Sequence, residues 1–230
     1  MNPNDVVLIT GASKGLGRAL AHQLARLGHP LIINARGERE LREVERELSQ
    51  FTRVVAVAGD VSEIAEELAS LGPVDILINN ASDIGPTPMP PLELYPWDAL
   101  LRVFKVNAVA PFHLIQLLLP GMRSRGRGTI VNISSDAGVN AYPGWGGYGA
   151  SKAALELMSR ILAKEIEGSG VRVLVVDPGD MNTEMHRLAA NGADLSHLPS
   201  AGFVAPRIIE LLNDTTPFAR VEAQQMLVAS

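Results

Sequence analysis

The chain contains no cysteine among its 230 residues, which excludes disulfides, thiolate metal ligands and cysteine nucleophiles. It also lacks a basic excess: 20 Lys and Arg face 25 Asp and Glu, a net charge of −5. Nucleic-acid and anionic-membrane partners need concentrated positive charge, so neither is expected. The run Arg123, Arg125, Arg127 sits among glycines and reads as a solvated turn. The five histidines form no His-Glu-x-x-His pattern, no metal site is expected, and no Gly-Lys-Ser/Thr triplet offers a Walker loop. The start, Met-Asn-Pro-Asn-Asp, lacks the basic and apolar regions of a secretory signal, and a cytoplasmic location is the expectation. The most apolar stretch of helical length, 106–122, carries His113, Gln116 and two prolines and falls short of a membrane span. Aromatic residues make up only 4% of the chain.

What is present is a 47% hydrophobic composition with one αβ rhythm throughout, predicting a single domain over 1–230. Short β-branched runs at 6–9, 30–34, 53–58, 76–79, 129–133 and 172–176, with a seventh at 224–228, read as strands. Helical spacing fills 15–27, 39–49, 62–71, 97–123, 149–167 and 204–213. Nearly continuous apolar strands such as Ile76-Leu77-Ile78 imply a sheet covered on both faces. The expected fold is therefore an α/β, Rossmann-like doubly wound parallel sheet of six to seven strands. Ligands of such sheets bind beyond the carboxyl ends of the strands.

The first strand runs into Thr10-Gly11-Ala12-Ser13-Lys14-Gly15-Leu16-Gly17 and then a helix. Backbone N–H groups and the helix dipole can receive a pyrophosphate there, provided no Cβ blocks the approach. A purely structural tight turn is the alternative. Gly11-Ala12-Ser13-Lys14-Gly15 also satisfies the Gly-x-Ser-x-Gly nucleophile elbow of an α/β hydrolase. Only nine residues precede Thr10, however, too few to supply the oxyanion donor that an elbow takes from an earlier loop. About 20 residues after the glycines, an NAD-binding chain places Asp or Glu on the ribose diol. Here the sequence is Asn34-Ala35-Arg36. Arg36 and Lys14 together could clamp a 2′-phosphate, which favours NADP(H) over NAD(H).

The most informative segment is Ser134-Ser135 at the end of strand five, followed by Tyr148-Gly149-Ala150-Ser151-Lys152. Residues four apart share a helix face, so a phenol and an ammonium can point into one site. A cation beside tyrosine favours the phenolate and brings the group toward acid/base work.

In this order, Thr-Gly-x-x-x-Gly-x-Gly, Asn79-Asn80-Ala81, Ser135, Tyr148-x-x-x-Lys152 and Pro178-Gly179 resemble the short-chain dehydrogenase/reductase family over nearly the whole chain. The resemblance implies hydride transfer between NADP(H) and a carbonyl or secondary alcohol. Tyr148 would be the general acid/base, Lys152 would lower its pKa and hold the nicotinamide ribose, Ser135 would orient the substrate oxygen, and Asn107 would hold a water linking Lys152 to solvent. The cofactor set it implies is Gly11, Ser13, Lys14, Gly15, Leu16, Gly17, Arg36, Asp60 and Val61, then Asn80, Ala81, Ser82, Tyr148, Lys152, Pro178, Gly179 and Thr183.

The chain departs from that pattern at Ser82, where the family usually has glycine, in a short stretch from Asp60 to Asn79, and at a C-terminus without the common tail. Pocket-wall candidates are Asp83, Asp136, Asn140, Tyr142, Trp145, Met185 and His186; Tyr142 and Trp145 could equally be packing residues. No arginine cluster appears among them, so a small uncharged carbonyl substrate is expected. The apolar width of the helix bearing Ala153, Ala154, Leu157, Met158, Ile161 and Leu162 exceeds one buried stripe and suggests a homodimer or homotetramer. A non-catalytic NADP(H) sensor or scaffold on the same fold remains the alternative.

Overall fold

The computed structural model describes residues 1–2 and 4–225. Seven strands form one parallel sheet in the order β3-β2-β1-β4-β5-β6-β7. They are β1 (Val7–Thr10), β2 (Leu31–Ala35), β3 (Val54–Ala58), β4 (Ile76–Asn79), β5 (Gly128–Ile133), β6 (Val171–Asp177) and β7 (Phe218–Glu222). The helices are α1 (Gly15–Arg26), α2 (Glu38–Leu48), α3 (Ala65–Ser70), α4 (Trp97–Phe104), α5 (Ala110–Ser124), α6 (Gly146–Glu165), α7 (Glu184–Ala189) and α8 (Ala201–Leu211).

β1 is buried along its whole length, and its alternating side chains serve two cores. Val7 and Ile9 pack with Leu20, Leu24, Val204 and Ile208 on the α1/α8 side, while Leu8 packs with Leu114, Leu118 and Val173 on the other. The order reverses beside β1: the chain builds β2 and β3 on one side and returns to place β4 on the other. This leaves a crevice beyond the strand ends, where the glycine loop lies.

Two expectations change. The seventh strand is Phe218–Glu222, paired with β6 from Val173↔Phe218 to Asp177↔Glu222. Gln224 and Gln225 instead follow it in turns, and the rest of the 224–228 assignment lies outside the described residues. The error has a physical cause: Phe218-Ala-Arg-Val-Glu alternates charge with apolar groups as an edge strand does, unlike the apolar strands of the sheet centre. The 97–123 helix, for its part, is joined through a five-residue π turn at Lys105–Val109. As the unit Trp97–Ser124 it is long and apolar enough to cross a membrane by length and composition. Half of its most apolar stretch is buried inside the protein, with Leu114, Ile115, Leu118 and Met122 against the sheet, so core packing accounts for much of that apolarity. The short α7, unforeseen in the sequence, is capped by Thr183, whose hydroxyl accepts from the His186 N–H.

Candidate active site

A cavity of about 730 Å³ opens at the carboxyl ends of the strands. All of the sequence-derived site residues line it except Gly17 and Asn107. Of the wall candidates, Asp83, Asp136, Trp145, Met185 and His186 line it, whereas Asn140 and Tyr142 do not. Tyr142 is exposed at the surface and donates its hydroxyl to Asp136 Oδ2 at 2.7 Å.

The glycine loop occupies one end. Gly11 takes φ +68°, and a Cβ there would lie 2.8 Å from the Ala81 Cα. Gly17 is pressed behind the loop, where a Cβ would meet the Gly11 carbonyl oxygen at 2.3 Å; its contribution is close packing. At Gly15, by contrast, with φ +52°, a Cβ would project into the cavity, its nearest neighbour the Thr183 methyl at 3.7 Å. No side chain caps the N-terminus of α1, so the helix presents its first amides and positive dipole end to that space.

The Asn80 side chain donates to the carbonyls of Thr10 (2.9 Å) and Gly11 (3.2 Å), while the Thr10 hydroxyl accepts from the N–H groups of Asn80 and Ala81 (3.1 and 3.0 Å). These bonds clasp the loop after β4 to the loop after β1. Across the cavity Gly179 takes φ +71°. Gln224 donates to the carbonyls of Pro178 (3.0 Å) and Asp180 (2.7 Å), tying that loop to the segment after β7.

Arg36 follows β2 at the cavity rim with Asp60 nearby. Burial disfavours ionisation of Asp60, but the Ser62 N–H and hydroxyl (2.9 and 2.7 Å), with Arg36 and Lys105, outweigh it and hold the carboxyl below its ordinary value. The rim is less cationic than the sequence implied. Lys14 pairs with Glu184 at 3.1 Å, and Glu40, bonded to Arg39 at 3.0 Å, also lines the cavity. Helix geometry brings Glu40 back to Gly37, a proximity that reading the strand end alone missed.

The other end holds the chemistry. Tyr148 and Lys152 lie on the buried face of α6, 9% and 2% exposed, with the Lys152 ammonium 5.5 Å from the Tyr148 ring centre. Lys152 donates to the Ile133 carbonyl at 2.8 Å. Burial pushes its pKa down to about 8, against the opposing pull of Glu156. The expected lowering of the Tyr148 pKa is not found in the free protein. Burial pushes it up to about 12; the hydroxyls of Ser135 and Ser82 act the other way, while Asp177 and Asp136 add to the rise. The ammonium is committed to a carbonyl rather than to the phenol oxygen, so desolvation dominates and the phenol is a protonated donor near neutral pH.

The side chain of Asn107 has a structural role. The wide π turn buries its side chain completely. Its Oδ1 accepts from the Asp83 N–H (2.7 Å) and the Ser82 hydroxyl (3.2 Å), and its Nδ2 donates to the Asp83 carbonyl (2.8 Å) and Ser151 Oγ (2.9 Å). Every capacity of the amide is engaged, leaving no side-chain atom for the water expected there. Through its side chain Asn107 ties the loop after β4 to α6.

Several supporting groups escaped sequence reasoning. Glu156, 4% exposed, accepts from Ser134 Oγ (2.6 Å) and from Arg220 Nε (2.9 Å). Arg220 also lies 3.9 Å from Asp177. Asp177 lines the cavity and accepts from the Gly179 N–H at 2.9 Å, and burial, its largest influence, raises its pKa. The sequence did carry a signal for Glu156: it follows Lys152 by four, as Lys152 follows Tyr148, so all three share a face. Arg220 carried none, because its strand had been misplaced.

A glycine loop at a helix N-terminus, joined by one cavity to a buried Ser-Tyr-Lys set, defines a dinucleotide-dependent oxidoreductase site. Residues 5–193 match the family model described as short chain dehydrogenase. The chain is 34% identical to sulfoacetaldehyde reductase 2 of Chromohalobacter salexigens, over 97% of this chain and 87% of that protein. It is 36% identical to the NADPH-dependent pterin aldehyde reductase of Arabidopsis thaliana, over 85% of this chain and 83% of the relative. Among solved structures, a short chain dehydrogenase from Escherichia coli CFT073 complexed with NADPH superposes with a TM-score of 0.83 at 30% identity, covering 96% of each chain. The chain therefore belongs to the short-chain dehydrogenase/reductase family, oxidoreductases that use a nicotinamide cofactor and act on small molecules.

Proposed function

We propose that this protein reduces a small aldehyde or ketone, or oxidises the corresponding alcohol, with NADP(H). The observation that carries the reading is the joint burial of Tyr148 and Lys152 at the inner end of the cavity whose outer end is the glycine loop. The residues present fit a dinucleotide. The space that a Cβ of Gly15 would fill, beside the uncapped α1 N-terminus, suits a pyrophosphate, and Arg36 suits a 2′-phosphate. Lys152 would hold the ribose, with Pro178, Gly179 and Thr183 against the nicotinamide.

The cofactor, when bound, supplies the hydride. Ser135, whose hydroxyl now donates to Asp136 Oδ1 at 3.1 Å, turns it to the substrate carbonyl and polarises it. Tyr148, neutral because burial raises its pKa, donates its proton to the oxygen as negative charge develops there. Ser82, bonded to Asn107, is a second hydroxyl partner of the phenol. NADPH and sulfoacetaldehyde or pterin aldehydes, taken from the names of the relatives, belong in the first assay panel.

The test is optical: NADPH consumption across a carbonyl panel by the wild-type protein and Tyr148→Phe. The variant keeps the ring and loses the proton donor, so turnover should fall about 10²-fold or more with NADPH affinity nearly unchanged. Near-normal reduction by Tyr148→Phe would remove Tyr148 from the role, and a wild-type protein that binds NADPH and reduces nothing would favour a sensor.

A further inference from the structure

The reacting end of the cavity is lined by a carboxylate that, among the described residues, has no cationic partner. Asp136 directly follows Ser135 and lines the wall. Its Oδ1 accepts from the Ser135 hydroxyl (3.1 Å) and its Oδ2 from the Tyr142 hydroxyl (2.7 Å). Both partners are neutral, and among the described residues Asp136 enters no ion pair. Its neighbours Asp83 and Asp177 differ. Asp83 is paired with Arg102 at 2.9 Å, and Asp177 accepts from a backbone N–H and faces Arg220. Two neutral hydroxyl donors leave the negative charge of Asp136 without a cationic counterpart.

Aromatic surface adjoins this carboxylate in a chain that has little of it. Of three tyrosines and two tryptophans in the sequence, Tyr142, Trp145 and Tyr148 form one run. The ring centres of Tyr142 and Trp145 are 6.4 Å apart, those of Trp145 and Tyr148 5.7 Å, both edge-on. An aromatic face beside an unpaired carboxylate is the environment that holds an organic ammonium group. The cationic side chains of the cavity lie elsewhere: Lys14 and Arg36 at the glycine-loop end, and Lys152 buried under the phenol. His186, the remaining base on this side, directs Nδ1 to the Met181 carbonyl at 3.2 Å, with Asp180 at 3.9 Å.

We infer that Asp136 and Trp145 select a carbonyl substrate bearing an ammonium group a few bonds from the reacting carbon, and that they disfavour anionic substrates. This rests on the reductase reading and replaces the uncharged substrate expected from the sequence. Asp136 is a specificity residue: with Ser135 on the carbonyl oxygen, the adjacent carboxylate is left to meet the substrate's own positive charge.

The test compares kcat/KM with NADPH for trimethylammonioacetaldehyde, its neutral carbon isostere 3,3-dimethylbutanal, and the anionic sulfoacetaldehyde. Wild-type protein should prefer the cation over the isostere by about tenfold or more, the scale of one close charge–charge and cation–π contact, and should handle the anion worst. Asp136→Asn should reduce the cation-to-isostere ratio by about tenfold. Any general loss from disturbing Ser135, and the differing intrinsic hydration of the aldehydes, cancels in the comparison of ratios between proteins. Trp145→Leu, which leaves the carboxylate in place, should reduce the ratio by about threefold. Turnover of the neutral isostere with no cation preference, or a ratio unchanged in both variants, would overturn the inference and leave the reductase reading standing. Inactivity of the wild-type protein toward every carbonyl offered would remove both.

Discussion

Gly15 and Gly17 belong to one motif, yet the structure assigns them different work, and alanine at each separates the two. At Gly15 the φ of +52° makes any side chain strained, but the nearest atom to a new Cβ is 3.7 Å away across the cavity. The folded state should lose about 1 kcal/mol, which lowers Tm by roughly 2–4 °C in a chain of this size. At Gly17 the Cβ would lie 2.3 Å from the Gly11 carbonyl oxygen and 2.9 Å from its carbon. Backbone cannot turn away as a rotamer can, so the loop must shift, and a loss near the upper end of about 1–3 kcal/mol follows. Cofactor affinity should behave differently. The methyl at residue 15 takes the space in which a pyrophosphate would meet the first amides of α1, so Gly15→Ala should weaken NADPH at least about tenfold, a loss of about 1.4 kcal/mol, despite its mild effect on folding. Gly17→Ala should weaken both binding and folding. Thermal unfolding without cofactor, followed by titration of NADPH fluorescence, measures the two quantities separately. Wild-type affinity in a folded Gly15→Ala protein would refute the assignment of this loop to phosphate and return it to an ordinary tight turn.

Other outcomes can be checked independently. Folding pushes the Lys152 pKa from 10.5 to about 8, so the unfolded chain binds the extra proton between those values. This group therefore makes stability rise with pH from about 8 to 10.5, and below pH 8 its burial costs about 3 kcal/mol. Lys152→Met should abolish that rise in denaturant titrations and stabilise the cofactor-free protein at pH 7 by about 1–2 kcal/mol, the lost bond to the Ile133 carbonyl offsetting the remainder. Tyr148 acts in the opposite sense at higher pH: its folded pKa of about 12 exceeds the ordinary 10, so its contribution is lost as pH climbs through that interval. Arg36 should give NADPH at least a tenfold tighter Kd than NADH, with Arg36→Asp reversing the order. Glu40 opposes the preference, so Glu40→Gln should enlarge it; equal affinities in the wild type would reject the assignment. Leu157 and Ile161 on α6 are about half exposed and Leu101 and Val109 more so, in place of the complete burial that packing on the sheet alone would give. Light scattering at micromolar concentration should accordingly give at least a dimer, and a 24.6 kDa particle would reject it.

The sheet and most of the residues that line the candidate site were readable in the sequence because their physics is local. A strand ending in Thr10 followed by closely spaced glycines can serve few geometries, and a Tyr-x-x-x-Lys on a helix shares a face wherever that helix lies. Fully buried strands announce themselves by unbroken apolar runs, which is why β1, β2 and β4 were placed to within a residue, while the edge strand β7 was missed. Tertiary structure decided what depends on neighbours distant along the chain. The phenol of Tyr148 titrates high rather than low because its surroundings exclude water, its lysine is turned to the Ile133 carbonyl, and Asp177 arrives from β6. The Asn107 side chain became a clamp because Ser82, Asp83 and Ser151 all converge on it. Glu40, Arg220 and Gln224 reached the site from elements whose identity gave no hint of it. Residue type and spacing set which groups can act, whereas burial and long-range partners set their charge and availability, because desolvation and hydrogen bonding are properties of the assembled surroundings.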